Sequence, residues 1–239
     1  MRSLLLVSPE DDHAFTAALE SGADAIILDL VGAPTHAASR AQSAARLVVR
    51  RRRGRAPLLI VRVDPLATGL AGADLDAIVP VRPDGVLLPK AEGGADVMRL
   101  SAMLAAREAL AGLGDGTIGI IAGATDTPAG LFDLGSYRDS STRLAGLALG
   151  LEDLANALNA AGSRDGSGNL TDLSRLARSL CLAGAAAAGV MAIDAPFLDP
   201  DDGAGLEAEA AAARRDGYSA KIAIHPAQVP VINRIFAAD

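Results

Sequence analysis

Acidic residues stand directly after short apolar runs in this sequence. In the stretch 147–158, LALGLEDLANAL, an apolar run ends at Gly150, and Glu152 and Asp153 come just before leucines at helical spacing. A carboxylate at the carboxyl end of a strand faces the open mouth of an α/β barrel, where such folds keep their chemistry. Asp153 is therefore a candidate metal ligand. The alternative is that Glu152 and Asp153 only cap a helix, because a helix N-terminus favours negative charge.

Ionisable residues occupy the same position after the other apolar runs. They are Asp29, Arg62, Asp64, Lys90, Asp126, Asp153, Asp194 and His225. Burying so many charged groups without partners would cost too much free energy. We therefore expect these side chains to share a polar cavity that also binds a cation.

Arg62 lies in the otherwise apolar run LLIVRVD. The planar guanidinium of arginine can bind a carboxylate through two hydrogen bonds, so Arg62 is a candidate for binding a substrate acid. A structural salt bridge to Asp29 or Asp64 is an equally good interpretation.

Two other side chains could take part in chemistry at these positions. Lys90 and Lys221 are the only lysines in the chain, so Lys90 raises the question of a Schiff-base aldolase. We expect instead that Lys90 has an electrostatic or structural role at the rim of the barrel. His225 begins a His-Pro pair and is either an acid–base group or a hydrogen-bonded residue that orders the last turn.

Eight apolar runs alternate with longer helical patterns, which predicts an α/β fold. The length of 239 residues is close to the roughly 250 of one (β/α)₈ barrel, so we expect a single TIM-barrel domain over residues 1–239. The predicted strands are Ser3–Ser8, Asp24–Leu30, Leu58–Asp64, Asp84–Pro89, Thr117–Ala124, Leu144–Gly150, Val190–Ala195 and Ala220–Pro226. A doubly wound parallel sheet is the alternative.

The segment Ser163–Asn169, SRDGSGN, is rich in glycine and serine and predicts an exposed loop. It follows the sixth predicted strand, on the side of the mouth. From there it would reach a ligand or a neighbouring subunit.

Composition excludes several classes of protein. Half of the residues are apolar but only 3% are aromatic, which predicts an aliphatic core. A net charge of −7 disfavours nucleic-acid binding. The single cysteine, Cys181, excludes an internal disulfide and a Cys-rich zinc site. The apolar run 180–193 is too short to cross a membrane, and the start MRSLLLVSPEDD is not typical of a signal peptide, so we expect a cytoplasmic protein.

Seven stretches occur in the order that they have in one family of enzymes. They are RSLLLVSP, SGADAIILDL, IVRVD, DGVLLPK, DTPAGL, LGLEDL and AKIAIHPAQVPVINRIF. With them the chain resembles the citrate lyase beta-subunit-like family, which belongs to the HpcH/HpaI aldolase superfamily of CoA-ester lyases. Each motif is weak alone, but together they cover the chain from Arg2 to Phe236.

The resemblance implies a TIM barrel that assembles into trimers or multiples of them and binds Mg²⁺. Members bind the ion through a Glu in an E-T-x-x-G motif and an Asp in a G-x-E-D-L motif. In this chain GLEDL supplies Asp153, and DTPAG places Asp126 where the family has Glu. Arg62 matches the substrate-binding arginine of a V-R-x-N motif, with Asp64 in the position of the Asn.

Two further departures from the family pattern concern its substrate site. The family's D-L-E-D-A-V appears as DLVGAP, so Asp29 remains while Val31 and Gly32 replace an acidic pair. The chain is also expected to stop short of a C-terminal segment that covers the acyl-CoA site in longer members.

The resemblance implies a Mg²⁺-dependent lyase that cleaves a 3-hydroxyacyl thioester carrying a carboxylate, of the citryl-, malyl- or citramalyl-CoA type. Asp126 and Asp153 would hold the metal, Arg62 and Lys90 would contact the 2-oxo acid half, and Asp29 is the candidate base. Two alternatives stay open. One is a CoA-independent, pyruvate-type aldolase, and the other is a non-catalytic paralogue that binds a metal–carboxylate ligand or a partner subunit.

Overall fold

Eight parallel strands close into a barrel in which each strand pairs with the next along the chain and the last pairs with the first. The structure is a computed structural model that describes residues 1–32, 36–51 and 57–237. The strands are β1 (Ser3–Val7), β2 (Ala25–Asp29), β3 (Leu58–Arg62), β4 (Gly85–Leu88), β5 (Gly119–Gly123), β6 (Leu144–Ala148), β7 (Met191–Asp194) and β8 (Ala220–Ala223). The predicted (β/α)₈ barrel is confirmed, and the open sheet is wrong.

Helices cover the outside of the barrel. They are α1 (Asp12–Glu20), α2 (His36–Arg51), α3 (Ala71–Ile78), α4 (Gly94–Leu110), α5 (Pro128–Phe132), α6 (Leu151–Ala157), α7 (Asp172–Ala188), α8 (Gly203–Asp216) and α9 (Val229–Ile235). After α5 the chain leaves helical geometry at Asp133, with φ −111° and ψ 20°, and continues as a 3₁₀ turn, Leu134–Tyr137. Among the helices of the described ranges, none combines the length and the apolar composition needed to cross a bilayer.

Alternate residues of each strand point into the barrel and out toward the helices. The buried side chains of the interior are aliphatic. They are Leu4, Ala25, Ile27, Ile60, Leu87, Ile121, Ala148, Ile193, Ala220 and Ile222. The outward residues form a second, larger cluster with the helices, as expected for parallel strands covered on both faces.

The strands end earlier than the apolar runs predict. Asp29 and Arg62 are the last residues of β2 and β3, but Lys90, Asp126 and Asp153 lie beyond their strands. These three residues are therefore carried by the connections at the carboxyl end of the barrel. Their positions depend on turn and helix geometry as well as on the strands.

Candidate active site at the mouth of the barrel

The carboxyl ends of the strands surround a cavity of about 160 Å³. Its apolar lining includes Leu6, Ile27, Leu87 and Ile222, and its charged lining consists of Arg62, Asp126, Glu152, Asp153 and Arg164. Pockets for drug-sized ligands measure about 300–1,000 Å³, so this cavity suits a small organic acid. Three of the predicted site residues, Arg62, Asp126 and Asp153, thus share one cavity.

Asp126 lies in the turn between β5 and α5 and is 5% exposed. Its Oδ2 accepts a hydrogen bond of 2.8 Å from the backbone N–H of Lys90. Two glycines leave room for this carboxylate, because a Cβ at Gly123 would lie 2.5 Å from Oδ2 and a Cβ at Gly150 would lie 1.8 Å from Oδ1. Burial raises the pKa of Asp126 to about 6, and the charge of Asp153 acts in the same direction. A cation beside Asp126 would relieve this unfavourable burial.

Asp153 lies in the first turn of α6, and its side chain is 32% exposed. The N-cap of α6 is Gly150, and this helix, which is described throughout, has no side-chain capping hydrogen bond. Neither acidic residue is therefore the N-cap, but both lie in the first turn of α6, where negative charge is favoured, as the helix-terminus alternative expects. In addition, Oδ2 of Asp153 lies 3.4 Å from Nη2 of Arg62, and Oδ1 lies 3.6 Å from Nζ of Lys90.

Arg62 lies between two carboxylates. Asp29 and Arg62 are register partners in the β2–β3 pairing, and Nη1 of Arg62 donates to Oδ2 of Asp29 over 3.1 Å. The second carboxylate is Asp153, on the far side of the guanidinium. The salt bridge to Asp29 is confirmed. Arg62 also lines the mouth cavity, where its role in binding a substrate acid stays a prediction. Asp29 lines a neighbouring cavity with Glu10 and Val31.

Lys90 contributes to the site through its backbone as well as its side chain. The residue adopts a left-handed conformation with φ 52°, which is uncommon outside glycine. In this conformation its backbone N–H donates to Asp126. The ammonium group is half-exposed and faces Asp153. Lys90 thus places a positive charge at the rim of the barrel, as expected.

Three residues predicted at the mouth lie elsewhere. Asp64 is buried outside the lining of the mouth cavity, and its backbone N–H donates to Oδ2 of Asp74 over 2.8 Å. Asp194 points out of the barrel and forms a buried ion pair of 2.6 Å with Lys221, because its neighbour Ile193 points inward. His225 is exposed, and its Nδ1 accepts from the backbone N–H of Ala227 in a capping box with Gln228. The second interpretation of His225, a residue that orders the last turn, is confirmed.

Arg164 and Glu152 complete the charged lining of the cavity, and neither was among the predicted site residues. Arg164 comes from the segment Ser163–Asn169, which was expected to reach a ligand from the mouth side. Oε1 of Glu152 accepts a short hydrogen bond from the hydroxyl of Ser163, which ties this segment to α6. The glycine- and serine-rich composition was the signal that pointed to this segment.

The arrangement of oxygen ligands fits a hard divalent cation. Asp126 and Asp153 line one cavity, and their charges interact. Within the described part of the chain, no three His, Cys, Asp or Glu side chains come together as a self-sufficient metal site. Mg²⁺ commonly binds through one or two carboxylates and keeps several waters or substrate oxygens, so two aspartates beside an open cavity meet its needs.

Asp126 should make the metal-free protein less stable as the pH rises from about 4 to about 6. Its folded-state pKa of about 6 lies above the ordinary value of 3.8, so the folded state keeps a proton that the unfolded chain releases in this range. The contribution of protonated Asp126 to the free energy of unfolding is complete below about pH 4 and is lost as the pH passes the folded-state pKa. The free energy of unfolding falls by about 3 kcal/mol over this range. The measurement is denaturant unfolding of the wild type and of Asp126→Asn at several pH values, with chelator present, to compare their free energies of unfolding. A difference between the two proteins that does not vary with pH would contradict it.

Fold and site together define an α/β-barrel protein whose mouth holds a charged cavity that suits a divalent cation. Residues 2–226 match the family model described as HpcH/HpaI aldolase/citrate lyase. The chain therefore belongs to this family, as its motifs predicted.

Three known proteins illustrate the relationship. The chain is 32% identical over 178 residues to citrate lyase subunit beta of Escherichia coli (strain K12), a match that covers 74% of this chain and 57% of that protein. It is 30% identical over 241 residues to (3S)-malyl-CoA thioesterase of Cereibacter sphaeroides (strain ATCC 17029 / ATH 2.4.9), covering 99% and 77%. The crystal structure of protein CitE from Mycobacterium tuberculosis in complex with magnesium, acetoacetate and coenzyme A has a TM-score of 0.81 and 28% identity, covering 100% and 81%. The chain thus spans less than two thirds of the E. coli relative.

Proposed function

We propose that this protein is a Mg²⁺-dependent carbon–carbon lyase that converts a 3-hydroxyacyl-CoA carrying a carboxylate into an acyl-CoA and a 2-oxo acid. The observation that carries this proposal is the shared cavity of Asp126, Asp153 and Arg62. Family membership supports it, as do the relatives, which include a citrate lyase subunit, a malyl-CoA thioesterase and a complex with magnesium, acetoacetate and coenzyme A. Citryl-, malyl- and citramalyl-CoA are substrates of the proposed kind.

Five charged residues in and beside the mouth have roles in this reaction. Asp126 and Asp153 would hold Mg²⁺. When bound, the ion supplies Lewis-acid polarisation of the oxygen that becomes the carbonyl of the 2-oxo acid. Arg62 binds the carboxylate of the substrate, and Asp29 orients Arg62 through the 3.1 Å contact. Lys90 adds a positive charge at the rim.

Cleavage breaks the bond between the hydroxyl-bearing carbon and the α-carbon of the thioester. The hydroxyl proton passes to a base as the carbonyl forms, and the bonding electron pair moves to the α-carbon, which then takes up a proton. Asp29 was the candidate base. Its contact with Arg62 and its place in the wall of a neighbouring cavity favour the role of a positioning residue.

Incubation with citryl-, malyl- and citramalyl-CoA tests the proposed function. We expect release of a 2-oxo acid from at least one thioester in the presence of Mg²⁺, and loss of this activity when a chelator is added. If Mg²⁺ and 2-oxo acids bind but none of the thioesters is cleaved, the lyase proposal is wrong and the non-catalytic alternative is favoured.

A second candidate is an aldolase that acts on free oxo acids without coenzyme A, which the small volume of the cavity favours. Cleavage of free 4-hydroxy-2-oxo acids, together with no measurable binding of coenzyme A, would support this activity over the first.

Borohydride treatment in the presence of pyruvate should leave no covalent adduct on the protein. Lys90 is the one lysine at the mouth and forms an ion pair with Asp153, while Lys221 is buried and donates to three acceptors. A mechanism that relies on a cation needs no Schiff base. Intact-protein mass spectrometry provides the measurement. A reduced pyruvyl adduct that maps to Lys90 would contradict the metal-dependent mechanism.

A further inference from the structure

Arg164 lies between two cavities. It lines the mouth cavity with Arg62, Asp126 and Asp153, and it also lines a second cavity of about 520 Å³ with Phe197. The guanidinium carbon of Arg164 lies 5.3 Å from the centre of the Phe197 ring. The residue therefore forms a charged wall of the proposed substrate site.

The segment around Arg164 is held in one conformation by its own hydrogen bonds. Arg164 and Leu170 form an isolated antiparallel bridge, and Nη1 of Arg164 donates to the carbonyl of Gly168 over 3.0 Å. The Asp165 carboxylate accepts from the backbone N–H groups of Ser167 and Asn169. This short loop is therefore ordered enough to present a side chain at a defined place.

Arg164 is the first member of a row of mostly buried charged side chains joined by ion pairs. Nη2 of Arg164 lies 2.5 Å from Oε2 of Glu209, whose Oε1 accepts from Lys221 over 2.9 Å. Lys221 also pairs with Asp194, which lies 3.6 Å from Arg178. Burial opposes the ionisation of Glu209, but the Lys221 and Arg164 cations keep its pKa below the ordinary value.

Positive charge exceeds negative charge in the buried part of this row. Three cations share the two carboxylates of Glu209 and Asp194, and Asp216 meets Arg178 only at the half-exposed end, at 3.8 Å. Two donors of Arg178, Nε and Nη2, are buried without a hydrogen bond among the described residues. Asp126, Glu152 and Asp153 also line the mouth, so the cations of this row and the metal ion of the proposed function would together stabilise an anion beside Arg164.

Arg164 and Arg62 lie on opposite sides of the mouth. Phe197, which contacts Arg164, follows β7, and β7 is four strands away from β3 in either direction around the closed barrel. A ligand that spans the cavity would therefore meet Arg62 on one side and Arg164 on the other. Such a site is complementary to a small acid with two carboxylates.

We propose that Arg164 is a specificity-determining residue that binds a second carboxylate of the substrate, so that the preferred 2-oxo acid is a dicarboxylic acid. This inference rests on the proposed function, because it assumes that the 2-oxo acid occupies the mouth cavity. Glu209 and Lys221 are positioning residues that hold Arg164 in place.

Dissociation constants for a matched pair of ligands test the inference. Oxaloacetate and 2-oxobutyrate have the same chain length, and the second carboxylate of the first is a methyl group in the second. With Mg²⁺ present, we expect the wild type to bind oxaloacetate at least about tenfold more tightly. Arg164→Gln should reduce this ratio to about one with little change for 2-oxobutyrate, and Arg164→Lys should retain part of it.

Arg234→Gln is the matched control. Arg234 also pairs with a glutamate of α8, Glu207, over 2.8 Å, but on the exposed surface. This variant should keep the wild-type ratio. A ratio unchanged in Arg164→Gln, or an equal loss of both ligands, would overturn the role of Arg164 while leaving the proposed function intact. If the wild type binds neither acid with Mg²⁺, the proposed function itself fails. Thermal unfolding of each variant identifies any that does not fold, and Arg164→Lys then carries the test.

Discussion

Asp153→Asn is expected to lose Mg²⁺ binding and metal-dependent activity while remaining folded. Asparagine keeps the shape of the side chain but removes the negative charge that a hard cation needs from its ligands. Loss of an outer partner of a metal site costs 10–100-fold in affinity, so loss of a direct ligand should exceed about a hundredfold. Titration calorimetry with Mg²⁺ and the 2-oxo acid release assay measure the two effects.

Stability should change little in this variant. Asp153 is partly exposed, and its ion pairs with Arg62 and Lys90 are 3.4 and 3.6 Å long, so they contribute about 1 kcal/mol or less. Arg62 keeps its contact with Asp29. Asp172→Asn is the matched control, because Asp172 also lies in the first turn of a helix and pairs with an arginine, Arg175. Equal losses in both variants, or a large drop in melting temperature with activity retained, would contradict the assignment.

Gly150→Ala should reduce activity through Asp126 alone. The backbone of Gly150, at φ −117° and ψ 92°, is open to alanine, so the new methyl group causes no backbone strain. That methyl group would lie 1.8 Å from Oδ1 of Asp126, and the carboxylate would have to move. Misplacing a reacting group by about 1 Å can cost about a hundredfold in rate, so we expect a loss of this size together with weaker Mg²⁺ binding.

Gly203→Ala is the control for this substitution. Gly203 begins α8 as Gly150 precedes α6, but a Cβ at Gly203 would meet open space. The control should keep full activity. Wild-type Mg²⁺ affinity in Gly150→Ala would show that the position of the Asp126 carboxylate does not matter for the metal.

The barrel was predictable because its strands are continuous apolar runs of the length that parallel strands need when helices cover both faces. Asp126 and Asp153 were predictable as neighbours for a related reason, since the carboxyl ends of parallel strands meet at one rim. The family motifs pointed to the same two residues. The substitution of Asp for Glu at 126 did not reveal how deeply its carboxylate would be buried.

Other features depended on geometry that residue types alone do not record. Asp194 follows the inward-facing Ile193, so strand alternation turns it toward the helices. The backbone N–H of Lys90 reaches Asp126 because of a left-handed conformation that lysine seldom adopts. Arg164 comes from a loop with no hydrophobic periodicity, and only its contacts with Phe197 and Glu209 show where its charge lies.

The role of the two glycines beside Asp126 was also not predictable from residue types. Gly150 belongs to the GLEDL motif, yet nothing in the motif indicates that its missing side chain makes room for a carboxylate from the preceding βα connection. Gly123 does the same from the end of β5. The requirement at Gly150 arises between two separate βα connections, which a short motif does not describe.

The most direct test of the proposed site is a crystal structure of the protein with Mg²⁺ and oxaloacetate or pyruvate. We expect one cation in the mouth cavity, with oxygens of both Asp126 and Asp153 at about 2.0–2.1 Å from it, directly or through one bound water, and with the ligand carboxylate on Arg62. A cation bound elsewhere, or a mouth in which the two aspartates do not approach the same ion, would contradict the proposed metal-dependent site.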